Sequence, residues 1–97
     1  MKFAILLEKC VGSEEFQKIV PDHVDYLARL HTRGILIAGG PFRDGKGGMI
    51  LIDVEDEEAA RVVAEEDPFV TRGAERYSLR SWEVLTAVRP ELLDRDG

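Results

Sequence analysis

Basic residues are scarce relative to acidic ones. Thirteen Lys and Arg stand against nineteen Asp and Glu, a formal net charge of −6. That balance is the opposite of a phosphate-binding footprint, so nucleic acid and anionic membrane surfaces are not expected as partners. Cysteine occurs once, at Cys10, which rules out an intrachain disulfide. It reads as a small residue at a strand end rather than a reactive thiol, because neither a basic pair nor a helix terminus stands beside it. Long hydrophobic runs are missing as well: stretches such as 3–7 and 35–38 fall far short of the roughly 20 residues a spanning helix needs. The opening segment has too short an apolar part for a signal peptide and no small-residue cleavage pattern, so a cytoplasmic location is expected. Histidine occurs only twice and no Cys/His cluster exists, which leaves too few ligands for a structural zinc site. Repeats and low-complexity segments are absent.

What is present fits one ordinary globular domain: 97 residues, 44% apolar and 33% charged, with seven aromatic rings to anchor a core. Residues 2–9 are apolar at alternate positions on both faces and read as a central strand. Ser13, followed by Glu14 and Glu15, reads as a helix N-cap. Pro21 implies either a kink in that helix or a main helix that begins at Pro21. Gly34 is the expected left-handed cap, and 35–38 a second strand. A glycine-rich connection over 39–48 leads into a third strand over 49–54, together a hairpin with a long tip. Asp56 opens a second helix with the stripe Ala59, Val62 and Val63, ended by Asp67-Pro68. A loop through Phe69 and Gly73 precedes a last strand from Tyr77 to Leu85. The domain is expected to span residues 1–88, with a charged, frayed tail over 89–97.

Strand, helix, strand, strand, helix, strand is the split βαβ arrangement, an α+β ferredoxin-like fold with a four-stranded antiparallel sheet and both helices on one face. Two helices cover only one face of strands that are apolar on both. The other face is therefore expected to pack on a second copy of the chain, giving a homodimer.

Phe16, Ile19, Val20, Val24, Leu27 and Leu30 form an apolar stripe at helical spacing, and His23 lies within it. A buried imidazole needs hydrogen-bond partners for its donor and its acceptor. Four residues beyond Val63, Asp67 projects from the sheet side of the second helix, where the start of the first helix can reach it. A carboxylate on one ring nitrogen fixes the tautomer and makes the other a better base, a minimal acid–base pair; it is equally the way to satisfy a structural histidine. Tyr26 lies on an adjacent part of the same helix, to donate a proton or to pack. Gly40 and Pro41, with Gly39, allow close backbone approach but have no following Lys-Ser/Thr to make a phosphate loop. Arg43 and Arg72 are candidate carboxylate clamps, more simply read as solvated loop charges. Phe42, Phe69 and Trp82 are candidate pocket walls. His31 falls near the helix end as a surface cation.

Pro21-Asp22-His23-Val24-Asp25-Tyr26-Leu27, then Gly39-Gly40-Pro41-Phe42, Gly47-Gly48, Glu58-Ala59-Ala60 and Asp67-Pro68-Phe69 with Gly73 and Trp82, resemble the YciI-like (YCII-related) family over nearly the whole chain. Val20 stands where that family often carries a basic residue. The resemblance implies a ferredoxin-like fold in a dimeric α+β barrel, similar to muconolactone isomerase. It also implies an active site built on a His–Asp pair, carried over to His23 and Asp67. One branch of the family eliminates chloride from a chlorinated hydroxyquinol.

The expected function is a small acid–base enzyme of lyase or isomerase type, dehydrochlorinase-like at its most specific, acting on a small cyclic or carbonyl-bearing molecule. His23 would move the proton, Asp67 would orient it, and no cofactor is required. The alternatives are a small-molecule-binding module without turnover and a cofactor-independent monooxygenase of the same fold.

Overall fold

A computed structural model describes residues 1–94. The order is β1 (Lys2–Lys9), α1 (Ser13–Thr32), β2 (Leu36–Pro41), β3 (Gly47–Asp53), α2 (Glu57–Glu65), α3 (Pro68–Thr71) and β4 (Glu75–Trp82). The strands form one antiparallel sheet in the order β2-β3-β1-β4, the ferredoxin-like topology expected from the sequence. The α+β class follows from the alternation already visible in the chain. Among the described residues, no helix is long and apolar enough to cross a membrane.

One sheet face carries the core. Phe3, Ile5 and Leu7 of β1 and Ile50 and Ile52 of β3 are buried beneath the helices with Tyr26, Leu30, Ala60, Val63 and Ala64. Each large apolar side chain there contributes roughly 1.5–3 kcal/mol relative to exposure. Tyr26 is part of this core. Its hydroxyl donates to the carbonyl of Val63 at 2.6 Å, and burial pushes its pKa up to about 12. In a continued helix the Asp67 N–H would bond to Val63, but it turns to Ala64 instead and leaves that carbonyl to Tyr26. Tyr26→Phe should therefore cost about 1–2 kcal/mol, read as a lower midpoint in urea unfolding with an unchanged slope. A loss below about 0.3 kcal/mol would mean that water replaces the hydroxyl.

Several local expectations change. The helix begins at Ser13 with Gly12 as N-cap and no side-chain cap bond, so Ser13 is its first residue rather than its cap. It runs unbroken through Pro21, which removes one N–H from the ladder but does not start the helix. His23 consequently sits in mid-helix, away from free N–H groups. The end is as read: Gly34 at φ 74° follows Arg33, with Gly34 N–H bonded to His31 and Ile35 N–H to Leu30, a Schellman closure. In α2 the buried line is Ala60, Val63 and Ala64; Val63 of the expected stripe is buried and Ala59 half-buried, but Val62 is exposed. Asp56 caps α2 by accepting from the Ala59 N–H at 2.8 Å.

The strands shift too. β2 starts one residue later than expected and takes in Gly39, Gly40 and Pro41, with a bulge between Leu36 and Ala38, and β3 starts earlier, at Gly47. A Cβ on Gly47, at φ 152°, would lie 1.9 Å from the Leu7 carbonyl oxygen, and one on Gly48 would lie 2.7 Å from that of Gly40. These glycines let the hairpin close on both neighbours. β4 runs from Glu75 to Trp82 instead of from Tyr77 to Leu85. The tail expected to fray is tied back as far as Asp94. That carboxylate accepts from Lys2 Nζ at 2.8 Å and from the Val84 N–H, and Val84 is buried. The end of the expected tail, 95–97, lies outside the described residues.

The opposite sheet face is less apolar than expected. Register places Ala4 and Leu6 of β1 beside Leu51 and Met49 of β3, flanked by Arg76, Ser78, Arg80 and Trp82 of β4. Its apolar part is a stripe along β1 and β3, bordered by charge.

Candidate active site

Helix α1 carries two apolar lines. Ile19, Tyr26 and Leu30 are buried in the core, whereas Phe16, Val20, His23 and Leu27 are partly buried and Val24 is 55% exposed. The second line faces a cleft of about 440 Å³ between α1 and the β2 side of the sheet. The small residues of β2 make that space. Gly39 lies on the helix face opposite Ile50, and a Cβ there would already be 3.8 Å from Leu27, so a large side chain would fill the gap. Gly40 and Pro41 complete this wall, with Gly47, Gly48 and Met49 from β3.

At the inner end of the cleft lies His23, its side chain 15% exposed. Nδ1 donates to Asp67 Oδ1 at 2.9 Å. Asp67 is the N-cap of α3, and the same Oδ1 accepts from the Phe69 N–H at 2.9 Å. Asp67-Pro68 thus does more than end α2. Its proline is a favourable first helical residue, and its carboxylate is held by backbone at a fixed place 1% exposed to solvent. With Nδ1 protonated toward a carboxylate, the neutral ring keeps its lone pair on Nε2, the nitrogen free to act as a base. Phe69 packs against the imidazole at a centroid distance of 4.4 Å and stacks on Phe16 at 4.3 Å, which fixes the ring plane.

A third titratable group belongs here that sequence reading missed. Glu75, at the start of β4, is 4% exposed and lines the same cleft. Burial, with the charge of Asp67 adding to it, pushes its carboxyl up to about 7, against the opposing pull of His23 and Lys9. Among the described residues, Glu75 Oε1 and Asp67 Oδ2 are buried without a hydrogen-bond partner. The available signal was the alternation Glu75, Tyr77, Leu79, which puts all three on the helix face once β4 is extended two residues backward.

Of the residues expected to form a site, His23, Gly40, Pro41 and Phe69 line the cleft, with Asp67 buried behind the imidazole. The others lie elsewhere. Tyr26 is buried in the core with its hydroxyl engaged. Phe42 borders a separate groove with Leu6, Arg76 and Ser78 on the opposite sheet face, and Trp82, 48% exposed, borders another with Lys2 and Asp94. Arg43 is exposed at the hairpin tip, and Arg72 pairs with Asp22 on the surface at 2.5 Å. These placements follow from strand direction: Trp82 pairs with Lys2, whose side chain is on the face away from the helices. Cys10 is exposed just beyond β1, and His31 is exposed in the last turn of α1. No cluster of three or more His, Cys, Asp or Glu side chains among the described residues is placed to hold a metal ion.

Comparison with known proteins agrees with this architecture. The chain is 32% identical over 73 residues to the uncharacterized protein YjpA of Bacillus subtilis (strain 168), covering 74% of this chain and 86% of that one. Its fold is similar to 5-chloro-2-hydroxyhydroquinone dehydrochlorinase (TftG) from Burkholderia phenoliruptrix AC1100, solved in complex with 2,5-dihydroxybenzoquinone. The TM-score is 0.68 at 22% identity, covering 87% of this chain and 95% of that one. The de novo designed protein Ferredog-Diesel shares the fold at a TM-score of 0.58 and 23% identity, over 84% and 85% of the two chains. At such identities the two structures speak for the fold alone, a four-stranded antiparallel sheet with its helices on one face. The YCII-related domain profile matches residues 1–83, and with its glycine hairpin, Asp67-Pro68-Phe69 turn and closing strand all inside that match, the chain belongs to the YCII-related domain family.

Proposed function

We propose that the cleft is an acid–base site for a small cyclic carbonyl or hydroxy compound, of lyase or isomerase type. The observation that carries this reading is the His23 Nδ1 to Asp67 Oδ1 contact at 2.9 Å, with the carboxylate buried and the ring bordering a mostly apolar cleft. His23 Nε2 takes a proton from the substrate, and Asp67 holds the tautomer and balances the imidazolium that forms. Phe16, Phe69 and Leu27 exclude water around the reacting atoms. The dehydrochlorination performed by the TftG neighbour is one reaction such a site can support: a base removes a proton while chloride leaves with its bonding pair.

The test is a panel of cyclic ketones and hydroxyquinols assayed with the wild-type protein and His23→Asn. Turnover should fall at least a hundredfold in the variant while affinity changes little. Ligands that bind wild-type protein without any turnover would replace the enzyme by a binding module. Oxygen consumption with electron-rich phenols would point instead to a monooxygenase.

A homodimer belongs to the same reading. The stripe of Ala4, Leu6, Met49 and Leu51 on the sheet face away from the helices suits a second copy of the chain, with the charged border setting register. Sedimentation at micromolar concentration should give twice the 10.9 kDa chain mass, and Leu6→Lys should return it to one. A wild-type chain that sediments at one chain mass, 10.9 kDa, at all concentrations would exclude the dimer.

A further inference from the structure

We propose that Glu75 is the second proton-transfer group of this cleft, donating to the carbonyl oxygen of an uncharged ring substrate while His23 accepts a proton from the adjacent carbon. The inference rests on the acid–base reading above and narrows it to a substrate class. Glu75 borders the cleft together with His23 and Phe69, is 4% exposed, and has an oxygen buried without a partner among the described residues. An isolated buried carboxyl has no structural reason to be there, since an apolar side chain would fill the place at lower cost. It follows the alternation that puts Tyr77 and Leu79 under the helices, so it is aimed inward by the strand and not by chance of a loop.

The charges facing it are Asp67 at the head of α3, His23 on α1 and Lys9 beside it on β1. Burial and the nearby Asp67 together favour its neutral form up to about pH 7. A neutral carboxyl can donate a hydrogen bond where a carboxylate can only accept. No Lys or Arg is among the described residues lining the cleft. A carboxylate or phosphate ligand would therefore meet Glu75, with the charge of Asp67 behind the imidazole, and no Lys or Arg of the lining to pair it, while the apolar walls would strip its water. An uncharged ring with a carbonyl meets a donor at Glu75 and an acceptor at His23 Nε2.

The step balances without a co-reactant. His23 Nε2 takes a proton from the carbon beside the carbonyl, and the C–H pair becomes the C=C bond. The carbonyl π pair moves to oxygen, which takes the proton of Glu75, so the ketone leaves as its enol. The imidazolium then gives one proton to water and the Glu75 carboxylate takes one back.

Acetophenone, benzoate and benzamidinium have nearly the same flat shape with charges of zero, minus one and plus one, and their binding can be followed by NMR at pH 6. Acetophenone should bind at least tenfold tighter than either ion. It should keep its affinity within threefold in Glu75→Gln, which retains a donor, and lose at least tenfold in Glu75→Leu. With Glu 13C-labelled at the carboxyl carbon, the Glu75 signal should stay protonated to higher pH when acetophenone is bound, which tests the wild-type protein directly. Affinity unchanged in Glu75→Leu, benzoate equal to acetophenone, or benzamidinium binding tightest would each overturn the proposal. If acetophenone perturbs His23 but Glu75→Leu binds it normally, this inference alone fails. If Glu75→Leu loses the ketone while His23→Asn leaves binding and turnover unchanged, the histidine reading fails and the Glu75 contact stands. Acetophenone that perturbs neither residue overturns both.

Discussion

Asp67→Ala should lower the unfolding free energy by about 3 kcal/mol, the sum of a lost helix cap near 1 kcal/mol and a buried hydrogen bond left unmade at 1–3. Both losses come from one oxygen. Oδ1 accepts from the Phe69 N–H, which starts α3, and from His23 Nδ1, which is nearly enclosed. Removing it leaves two donors facing methyl groups and apolar rings. An offset exists, because Oδ2 is buried without a partner among the described residues and its desolvation cost disappears with the side chain. That offset is smaller than two lost donors' bonds, so the sign stays destabilising. Asp67→Asn keeps an acceptor oxygen in place and should cost about 1 kcal/mol or less; on the proposed acid–base reading, turnover should fall tenfold or more because an imidazolium at His23 would lose its counter-charge. Urea unfolding of both variants and of a cycle with His23→Leu separates the parts. The coupling between the two positions should reach at least 1 kcal/mol. An Asp67→Ala loss below about 0.5 kcal/mol, with no coupling, would mean that the pair is not formed in solution.

Glu75→Gln should stabilise the protein at pH 8 by up to about 3 kcal/mol and leave it near wild type at pH 4.5. The carboxyl of Glu75 titrates near 7 in the folded chain against an ordinary value of 4.5. Between those values the folded chain holds a proton that the unfolded chain has given up. The stability tied to that proton is complete below about pH 4.5 and is lost as pH rises through 7. Above that, wild type carries a charge among Asp67, Phe69 and Leu7, and the glutamine variant does not. Other groups titrate over the same range, but they are common to both proteins and cancel in the difference. The stabilities of the two proteins, from unfolding curves at pH 5, 6, 7 and 8, should therefore diverge from pH 5 to pH 7 and level off toward pH 8. Parallel curves would show that water reaches the carboxyl and keeps it in the normal carboxylate range. A buried carboxyl kept at such a cost beside a cleft is the pattern expected of a functional site rather than of a core.

Most of the fold was legible because it rests on local rules. Period-two apolar alternation marked β1 and β3, Gly34 marked the end of α1, and Asp56 marked the start of α2. Errors fell where two local rules compete. The missing N–H of Pro21 left a kink and a helix start both open, and the burial of Ile19, Tyr26 and Leu30 holds α1 together across it. The glycines of β2 read as loop residues by propensity, yet pairing with β3 makes them strand. Ala59, Val62 and Val63 versus Ala60, Val63 and Ala64 is a choice of phase that composition cannot make, because alanine and valine suit either side of a short helix.

The site divides in the same way. The meeting of His23 with Asp67, the close backbone approach allowed around Gly40 and Pro41, and the family itself were legible in residue type and order along the chain. Which aromatic reaches the cleft was decided by strand direction and register, and these sent Phe42 and Trp82 to the other side of the sheet and Tyr26 into the core. Glu75 joined His23 only because β4 begins two residues earlier than its apolar pattern suggests and runs beside β1. Periodicity records which residues share a face of one element. Only the packing of α1 against α3 and β4 decides which of those faces meet, since it depends on contacts between distant residues such as His23 and Asp67, 44 positions apart.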